Sequence, residues 1–259
     1  SKGAFAVGVI KRLLNEYPGL DFDIIVGTST GSLIAPLAAL NEIKLLEQLY
    51  TTQTANSIVL QKRLGDRLSD VSIFDANPLW KLVQQYYNDQ CYNDVIATGK
   101  KLFLTTTCLQ TGELMVFTTA TDPFEDKNYS VRTLEHADHF RNAVMASACQ
   151  PVLMQPIKAN QTVTAEPNPD LPFVDAGVRE YAGIEMAIDN GATEIFTILL
   201  SPDGKDTETD EYTDLFSILR RTIDIFTDDV GKNDLIIPLQ YNEALSYIDA
   251  VKRKMIRNG

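Results

Sequence analysis

The motif Gly-Thr-Ser-Thr-Gly at residues 27–31 constrains the fold more than any other part of this sequence. It directly follows an apolar run at residues 24–26 and precedes residues 32–40, whose composition predicts a helix. A strand, Gly-x-Ser-x-Gly spacing and a helix together form the sharp turn that exposes a nucleophilic serine. The motif therefore predicts that Ser29 lies on such a turn, with the two glycines leaving room for close backbone contacts.

Glycine-rich loops between a strand and a helix also bind phosphate groups, so the motif has a second interpretation. A Walker loop requires Gly-Lys-Ser/Thr at its end, but Gly31 is followed by Ser32 and Leu33. A dinucleotide fingerprint requires a glycine where Ser29 stands. Neither phosphate-binding motif is therefore matched in full, which weakens both interpretations. A plain strand-to-helix turn remains the alternative to a catalytic serine.

The net charge and the spacing of the cysteines indicate which partners and cofactors to expect. The 259 residues include 35 acidic and 23 basic side chains, which give a formal net charge of −12. Nucleic-acid binding requires a basic surface, so we expect no nucleic-acid partner. The three cysteines lie far apart and form no Cys-x-x-Cys pair. We therefore expect no metal and no other cofactor.

Cysteine usage and hydropathy bear on where the protein functions. An odd number of cysteines fits a reducing compartment. No apolar stretch reaches the roughly 20 residues that span a bilayer. We expect a cytoplasmic protein with peripheral contact to membranes. Because no strand precedes the first predicted helix, we also expect the N-terminus to be incomplete, which leaves secretion open.

The order of predicted strands and helices indicates the fold class. Helices are predicted at residues 4–17, 32–40, 42–50, 77–87, 139–149, 184–190, 212–228 and 242–257, and strands at residues 24–26, 101–107, 113–119, 173–174 and 194–200. This alternation predicts an α/β fold with a mainly parallel central sheet and helices on both faces, a three-layer α/β/α arrangement. No repeat or linker divides the sequence, so we predict a single domain over residues 1–259.

A catalytic serine needs a base, and histidine is the usual candidate. His136 and His139 are the only histidines, and both precede Asp175. They do not fit the order of serine, acid and histidine that α/β-hydrolases use. Either one of them acts in an unusual order, or both have a capping or solvated role at the start of a helix.

Asp175 is the alternative base. It ends the short predicted strand at residues 173–174, and the carboxyl ends of parallel strands meet at one edge of a sheet. Ser29 also follows a strand, so the two side chains can meet there. A carboxylate with its ordinary pKa of about 4 is a weak base at neutral pH. We therefore expect Asp175 to be partly desolvated and hydrogen-bonded directly to the serine hydroxyl.

Four motifs, in this order along the chain, resemble those of the patatin-like phospholipase family. Lys2 and Gly3 match the last two positions of its Gly-Gly-Gly-x-Arg/Lys-Gly loop, and residues 27–31 are similar to its Gly-x-Ser-x-Gly elbow. Residues 146–151, Ala-Ser-Ala-Cys-Gln-Pro, look like its Ala-Ser-x-Ala-x-Pro segment with a cysteine in place of an alanine. Residues 175–177, Asp-Ala-Gly, fit its Asp-Gly-Gly/Ala motif. The match covers most of the chain.

The resemblance implies a Ser-Asp dyad, in which Ser29 is the nucleophile and Asp175 takes its proton and later activates water. It also implies that backbone N–H groups of a glycine-rich loop bind the oxyanion. The first glycines of that loop precede Ser1, so we expect the sequence to begin inside it. Residues near the oxyanion or substrate are Lys2, Gly3, Thr30 and Gly31, and residues that shape the motifs are Gly27, Thr28 and Gly177.

The implied function is hydrolysis of ester bonds in phospholipids or related acyl lipids through an acyl-serine intermediate, without a cofactor. Two alternatives stay open: acyl transfer to an alcohol by the same dyad, and a catalytically silent module that binds lipid or a partner. A long acyl chain needs an apolar channel. The candidate wall residues are Leu60, Ile73, Phe74, Trp80, Leu153 and Met154, and for most of them we expect ordinary core packing instead.

Overall fold

The structure, a computed structural model, describes residues 2–53, 58–63, 65, 70–124, 126–161, 171–200 and 212–258. The central strand of its main sheet is β4 (Lys101–Cys108). Strand β5 (Leu114–Thr118) pairs antiparallel with one edge of β4, and β6 (Tyr129–Thr133) adds to β5 in parallel. The β4–β5 pair joins the two strands predicted at residues 101–107 and 113–119.

Two further strands share the other edge of β4. Strand β1 (Ile24–Gly27) runs parallel to β4, and its last residue lies beside Leu104. Strand β7 (Phe173–Asp175) runs antiparallel to β4, and its last residue lies beside Thr106. The carboxyl ends of β1 and β7 therefore point at each other along β4, with Thr105 between them.

Helices cover both faces of this sheet. On one face lie α1 (Gly3–Glu16), α2 (Thr30–Ala39), α3 (Ile43–Thr52), α4 (Asn77–Tyr86), α5 (Asp89–Ala97) and α6 (Ala137–Ala148). The other face packs against α7 (Ile184–Asp189). Alternate residues of β4 divide the core accordingly, because successive strand residues point to opposite faces. Leu102 and Leu104 pack with the first group of helices, and Phe103 packs with the second.

The predicted three-layer α/β/α class is confirmed. The β1–β4 pair is parallel, as expected, and so is the pair of β5 with β6, a strand that was not predicted. The strand that ends at Asp175 is antiparallel to its neighbour. The predicted strand at residues 194–200 is wrong, because these residues have no strand pairing and most of the run is exposed. Its apolar end, Ile198 and Leu200, packs against the main core without joining the sheet.

The two helices predicted at the end of the sequence form one continuous helix, α8 (Leu215–Asn258). Gly231 lies inside it, packed against the ring of Tyr181, where an added Cβ would come within 2.9 Å of the ring. The glycine therefore permits close packing and does not end the helix. Neither α8 nor any other described helix has a segment long and apolar enough to cross a membrane. A short separate ribbon pairs β2 (Leu60–Gln61) with β3 (Phe74–Asp75).

Candidate active site

Ser29 occupies a strained turn between β1 and α2. Its backbone has φ 57° and ψ −125°, and such positive-φ conformations cost a non-glycine residue about 1–3 kcal/mol. An added Cβ on Gly27 would lie 2.6 Å from the carbonyl oxygen of Gly31, so the turn requires glycine at that position. The Gly31 N–H donates to the carbonyl of Thr28 at 2.8 Å and closes the turn. The predicted elbow is therefore present.

Thr28 links this turn to the centre of the sheet. Its Oγ1 lies 2.8 Å from Oγ1 of Thr105, the β4 residue between the ends of β1 and β7. The contact is partly buried. The elbow is thus fixed directly opposite the end of β7.

Asp175, the last residue of β7, meets the elbow. Its carboxylate accepts a hydrogen bond from the Gly177 N–H at 2.8 Å. The Ser29 hydroxyl lies close enough to this carboxylate to lower its pKa. The side chain is only 5% exposed. Ser29 and Asp175 therefore lie next to each other, as the sequence predicts, although β7 meets β1 end to end and is not its parallel neighbour.

Burial dominates the electrostatics of Asp175. Loss of solvent raises its pKa from 3.8 to about 6, and the hydrogen bonds from Ser29 and Gly177 oppose that rise. A carboxylate with this pKa is still ionised at neutral pH and binds a proton more strongly than an exposed one. Both properties favour a general base.

The N-termini of α1 and α2 lie side by side next to Ser29. Gly3 is buried against the ring of Tyr50 and the methyl group of Thr30, and an added Cβ would lie 2.6 Å from that methyl group. Thr30 begins α2, where helix geometry leaves backbone N–H groups without intrahelical acceptors. Lys2 is exposed at the start of α1. Ser1, the preceding position, lies outside the described residues.

A cleft of about 770 Å³ opens over these residues. Ser29, Thr30 and Asp175 line it together with Lys2. Its apolar lining comes from α1 and α2, which supply Ala6, Ile10, Ile34 and Ala38 among others, and also from β1 and from residues 192–200.

Most of the six residues proposed as walls of an acyl channel do not line this cleft. Met154 is the one of the six that lines the cleft. Leu60 is 45% exposed on β2, while Ile73 and Leu153 are buried in protein packing. Apolar residue type alone does not separate a channel wall from ordinary core. The expected role in core packing is confirmed for Ile73, Trp80 and Leu153.

The two histidines have local structural contacts. His139 is 1% exposed, its Nε2 lies 2.9 Å from Oδ1 of Asn160, and its ring packs edge-on against Phe117. Burial lowers the pKa of His139. His136 caps α6, because its Nδ1 accepts the N–H of His139 at 3.2 Å. These contacts favour the capping interpretation.

The described residues contain no cluster of three His, Cys, Asp or Glu side chains that could hold a metal. All three cysteines are buried free thiols. Cys149 is adjacent to the site, since its carbonyl accepts the N–H of Asp175 at 2.8 Å. Burial, helped by the charge of Asp175, raises the pKa of this thiol to about 12, so it stays protonated.

Sequence reasoning gave no role to two buried serines that contact the elbow. Ser147 accepts the N–H of Ser29, and Ser32 donates to its carbonyl. Ser147 lies in the Ala-Ser-Ala-Cys-Gln-Pro segment, which was the only signal available for it.

A comparison with protein families matches residues 1–188 to the Patatin family, described as patatin-like phospholipase. The chain belongs to the patatin-like phospholipase family. The matched region includes both Ser29 and Asp175, and the resemblance inferred from the four motifs is confirmed. A comparison with curated protein sequences gave no match. Membership in the patatin-like family supports lipid acyl hydrolase activity in general.

Proposed function

We propose that this patatin-like protein is a serine hydrolase that cleaves ester bonds of phospholipids or related acyl lipids. The observation that carries the proposal is the close approach of the Ser29 hydroxyl to the buried Asp175 carboxylate in the cleft. The strained elbow supports it, because it presents Oγ away from the sheet. Family membership supports a lipid substrate.

In the first half-reaction, Ser29 Oγ attacks the ester carbonyl while its proton passes to Asp175. The resulting oxyanion accepts hydrogen bonds from backbone N–H groups at the start of α2, near Thr30, and at Gly3. Each such donor is typically worth about 3 kcal/mol in the transition state. The C–O bond then breaks, and the alcohol leaves with the proton from Asp175. An acyl-serine remains.

In the second half-reaction, water replaces the alcohol. Asp175 takes a proton from water as its oxygen attacks the acyl-serine, and a second oxyanion forms at the same N–H groups. Collapse of this intermediate releases the fatty acid and returns the proton to Ser29. Gly31 supports the turn in this scheme, since its N–H already donates to Thr28.

The direct test is labelling with a fluorophosphonate probe, followed by intact mass and peptide mapping. We expect one adduct per chain on Ser29, none in Ser29→Ala, and strongly slowed labelling in Asp175→Asn. Ser72→Ala and Asp189→Asn are matched controls, because they alter a buried serine and a half-buried aspartate away from the elbow. Normal labelling of a folded Asp175→Asn variant would falsify the dyad.

Product analysis separates the remaining alternatives. With phospholipid vesicles, a hydrolase releases fatty acid and a lysophospholipid, whereas an acyltransferase forms a new ester when an alcohol acceptor is added. A protein that neither reacts with the probe nor releases fatty acid is a silent binding module. We expect hydrolysis, with the enzyme in peripheral contact with the vesicle surface.

A further inference from the structure

The strained backbone of Ser29 is held by its surroundings on both sides of the residue. Its N–H donates to Oγ of Ser147 at 3.1 Å. Its carbonyl accepts from Oγ of Ser32 at 2.7 Å. Both hydroxyl-bearing side chains are fully buried. Buried polar groups are costly to leave unpaired, so these bonds stabilise one conformation of the elbow.

Both contacts lead to the same helix. Ser147 belongs to α6, and the Ser32 hydroxyl also lies 3.0 Å from the carbonyl of Val144 in α6. Residues 144 and 147 are three apart and therefore share a face of the helix. Ser147 and Ser32 are buried and do not line the cleft, whereas Ser29 does.

The end of α6 also holds the second member of the pair. Two residues after Ser147, the carbonyl of Cys149 accepts the N–H of Asp175 at 2.8 Å. One short stretch, residues 147–149, is thus hydrogen-bonded to the backbone of both Ser29 and Asp175. The relative position of the two side chains depends on this stretch as well as on β4.

We propose that Ser147, with Ser32, is a positioning residue that holds the Ser29 backbone in the strained turn so that its hydroxyl stays directed at Asp175. This inference rests on the proposed function. It assigns a role to the Ala-Ser-Ala-Cys-Gln-Pro segment, which does not supply a reacting group. Ser147 acts through the backbone of Ser29 and touches neither substrate nor the transferred proton.

The test compares Ser147→Ala and Ser32→Ala with Thr118→Val. Thr118 is an equally buried hydroxyl that donates to the carbonyl of Leu102 at 2.7 Å, away from the elbow. For Ser147→Ala we expect the rate of Ser29 labelling and kcat to fall about tenfold, with KM within twofold of the wild-type value. Thr118→Val lowers Tm and leaves both rates unchanged.

A pH profile separates positioning from simple loss of stability. The Ser29 hydroxyl lowers the pKa of Asp175 by hydrogen bonding to it. If the hydroxyl is no longer held in place, the midpoint of the acid side of the kcat profile moves to higher pH in Ser147→Ala. Thr118→Val keeps the wild-type midpoint.

Wild-type rates and an unshifted midpoint in folded Ser147→Ala overturn the inference and leave the dyad intact. If Ser147→Ala does not fold, Ser29 labelling is compared between wild type and folded Ser32→Ala instead. An unchanged labelling rate in Ser32→Ala also overturns the inference. Absence of Ser29 labelling in the wild-type protein overturns the proposed function and this inference together.

Discussion

Two polar pairs in this molecule invite comparison, Ser29–Asp175 at the elbow and His136–His139 at the start of α6. Each pair contains a well-buried titratable residue, and burial shifts its pKa in both cases. Asp175 faces a cleft and binds a hydroxyl on a strained turn. His139 binds a neighbouring amide and an aromatic ring inside the core.

Position explains why the less usual base is the better candidate. His139 precedes Ser147, which contacts the elbow, by eight residues in α6, or about 12 Å along the helix axis. A proton passes directly only over hydrogen-bonding distance. The ends of β1 and β7, and not residue type, therefore determine which titratable side chain lies next to Ser29.

The largest effect is expected from Asp175→Asn. The amide still accepts hydrogen bonds but binds a proton poorly, so we expect hydrolysis and Ser29 labelling to fall about 10³-fold. The rise in the pKa of Asp175 from 3.8 to about 6 corresponds to about 3 kcal/mol of destabilisation at neutral pH. The variant should therefore have a higher Tm than wild type at pH 7, measured by calorimetry.

The next largest effect is expected from Gly27→Ala. Its methyl group would lie 2.6 Å from the Gly31 carbonyl, so the elbow must shift. We expect a loss of about 1–3 kcal/mol in the free energy of unfolding and slower Ser29 labelling. Gly8→Ala is the control, because no atom lies within 4 Å of its added Cβ and alanine favours the helix. Equal labelling of both variants would contradict the tight turn.

The raised pKa of Asp175 predicts how both activity and stability depend on pH. Asp175 must be ionised to accept the serine proton, so activity falls as pH drops through about 6, to about one tenth one pH unit lower. Stability changes in the opposite sense. A raised pKa means that the folded protein binds this proton more tightly than the unfolded chain does. The contribution of Asp175 to the free energy of unfolding therefore decreases as pH rises from 3.8 to about 6. Rate and Tm profiles of wild type and Asp175→Asn measure both trends.

The smallest effect on rate is expected from His139→Ala. Loss of the ring removes its contacts with Asn160 and Phe117, which should cost about 2–4 kcal/mol of stability. The rate per folded molecule should stay near the wild-type value. A large fall in kcat without a change in Tm would restore histidine as the base.

Much of the fold follows from local patterns in the sequence. Helix α1, the glycine-rich turn before α2 and strands β4 and β5 were all predicted close to their observed bounds. Helix α5 was not predicted, although Asn88 caps it and Cys91 and Val95 form a buried pair four residues apart. Strand β6 was also missed, because its five residues are mostly half-buried and give a weak alternation.

Tertiary contacts decide what local patterns do not. Gly231 interrupts a helical pattern in sequence, yet it serves to admit the ring of Tyr181. The reversed direction of β7 is equally invisible locally, since three residues carry no sign of the strand they pair with. Ser29 and Asp175 were identified from their motifs, whereas the buried contacts of Ser32 and Ser147 require knowing where α6 lies.

Because β1 and β7 meet end to end on the same edge of β4, their register on β4 fixes the distance between Ser29 and Asp175. Successive residues of a strand advance about 3.3 Å and alternate sides, so sliding β7 by one position would both separate Asp175 from Ser29 and turn it to the wrong face. Changes in the length of the intervening loops leave that spacing intact. Related chains should therefore differ in the lengths of those loops but keep the same register of β1 and β7 on β4.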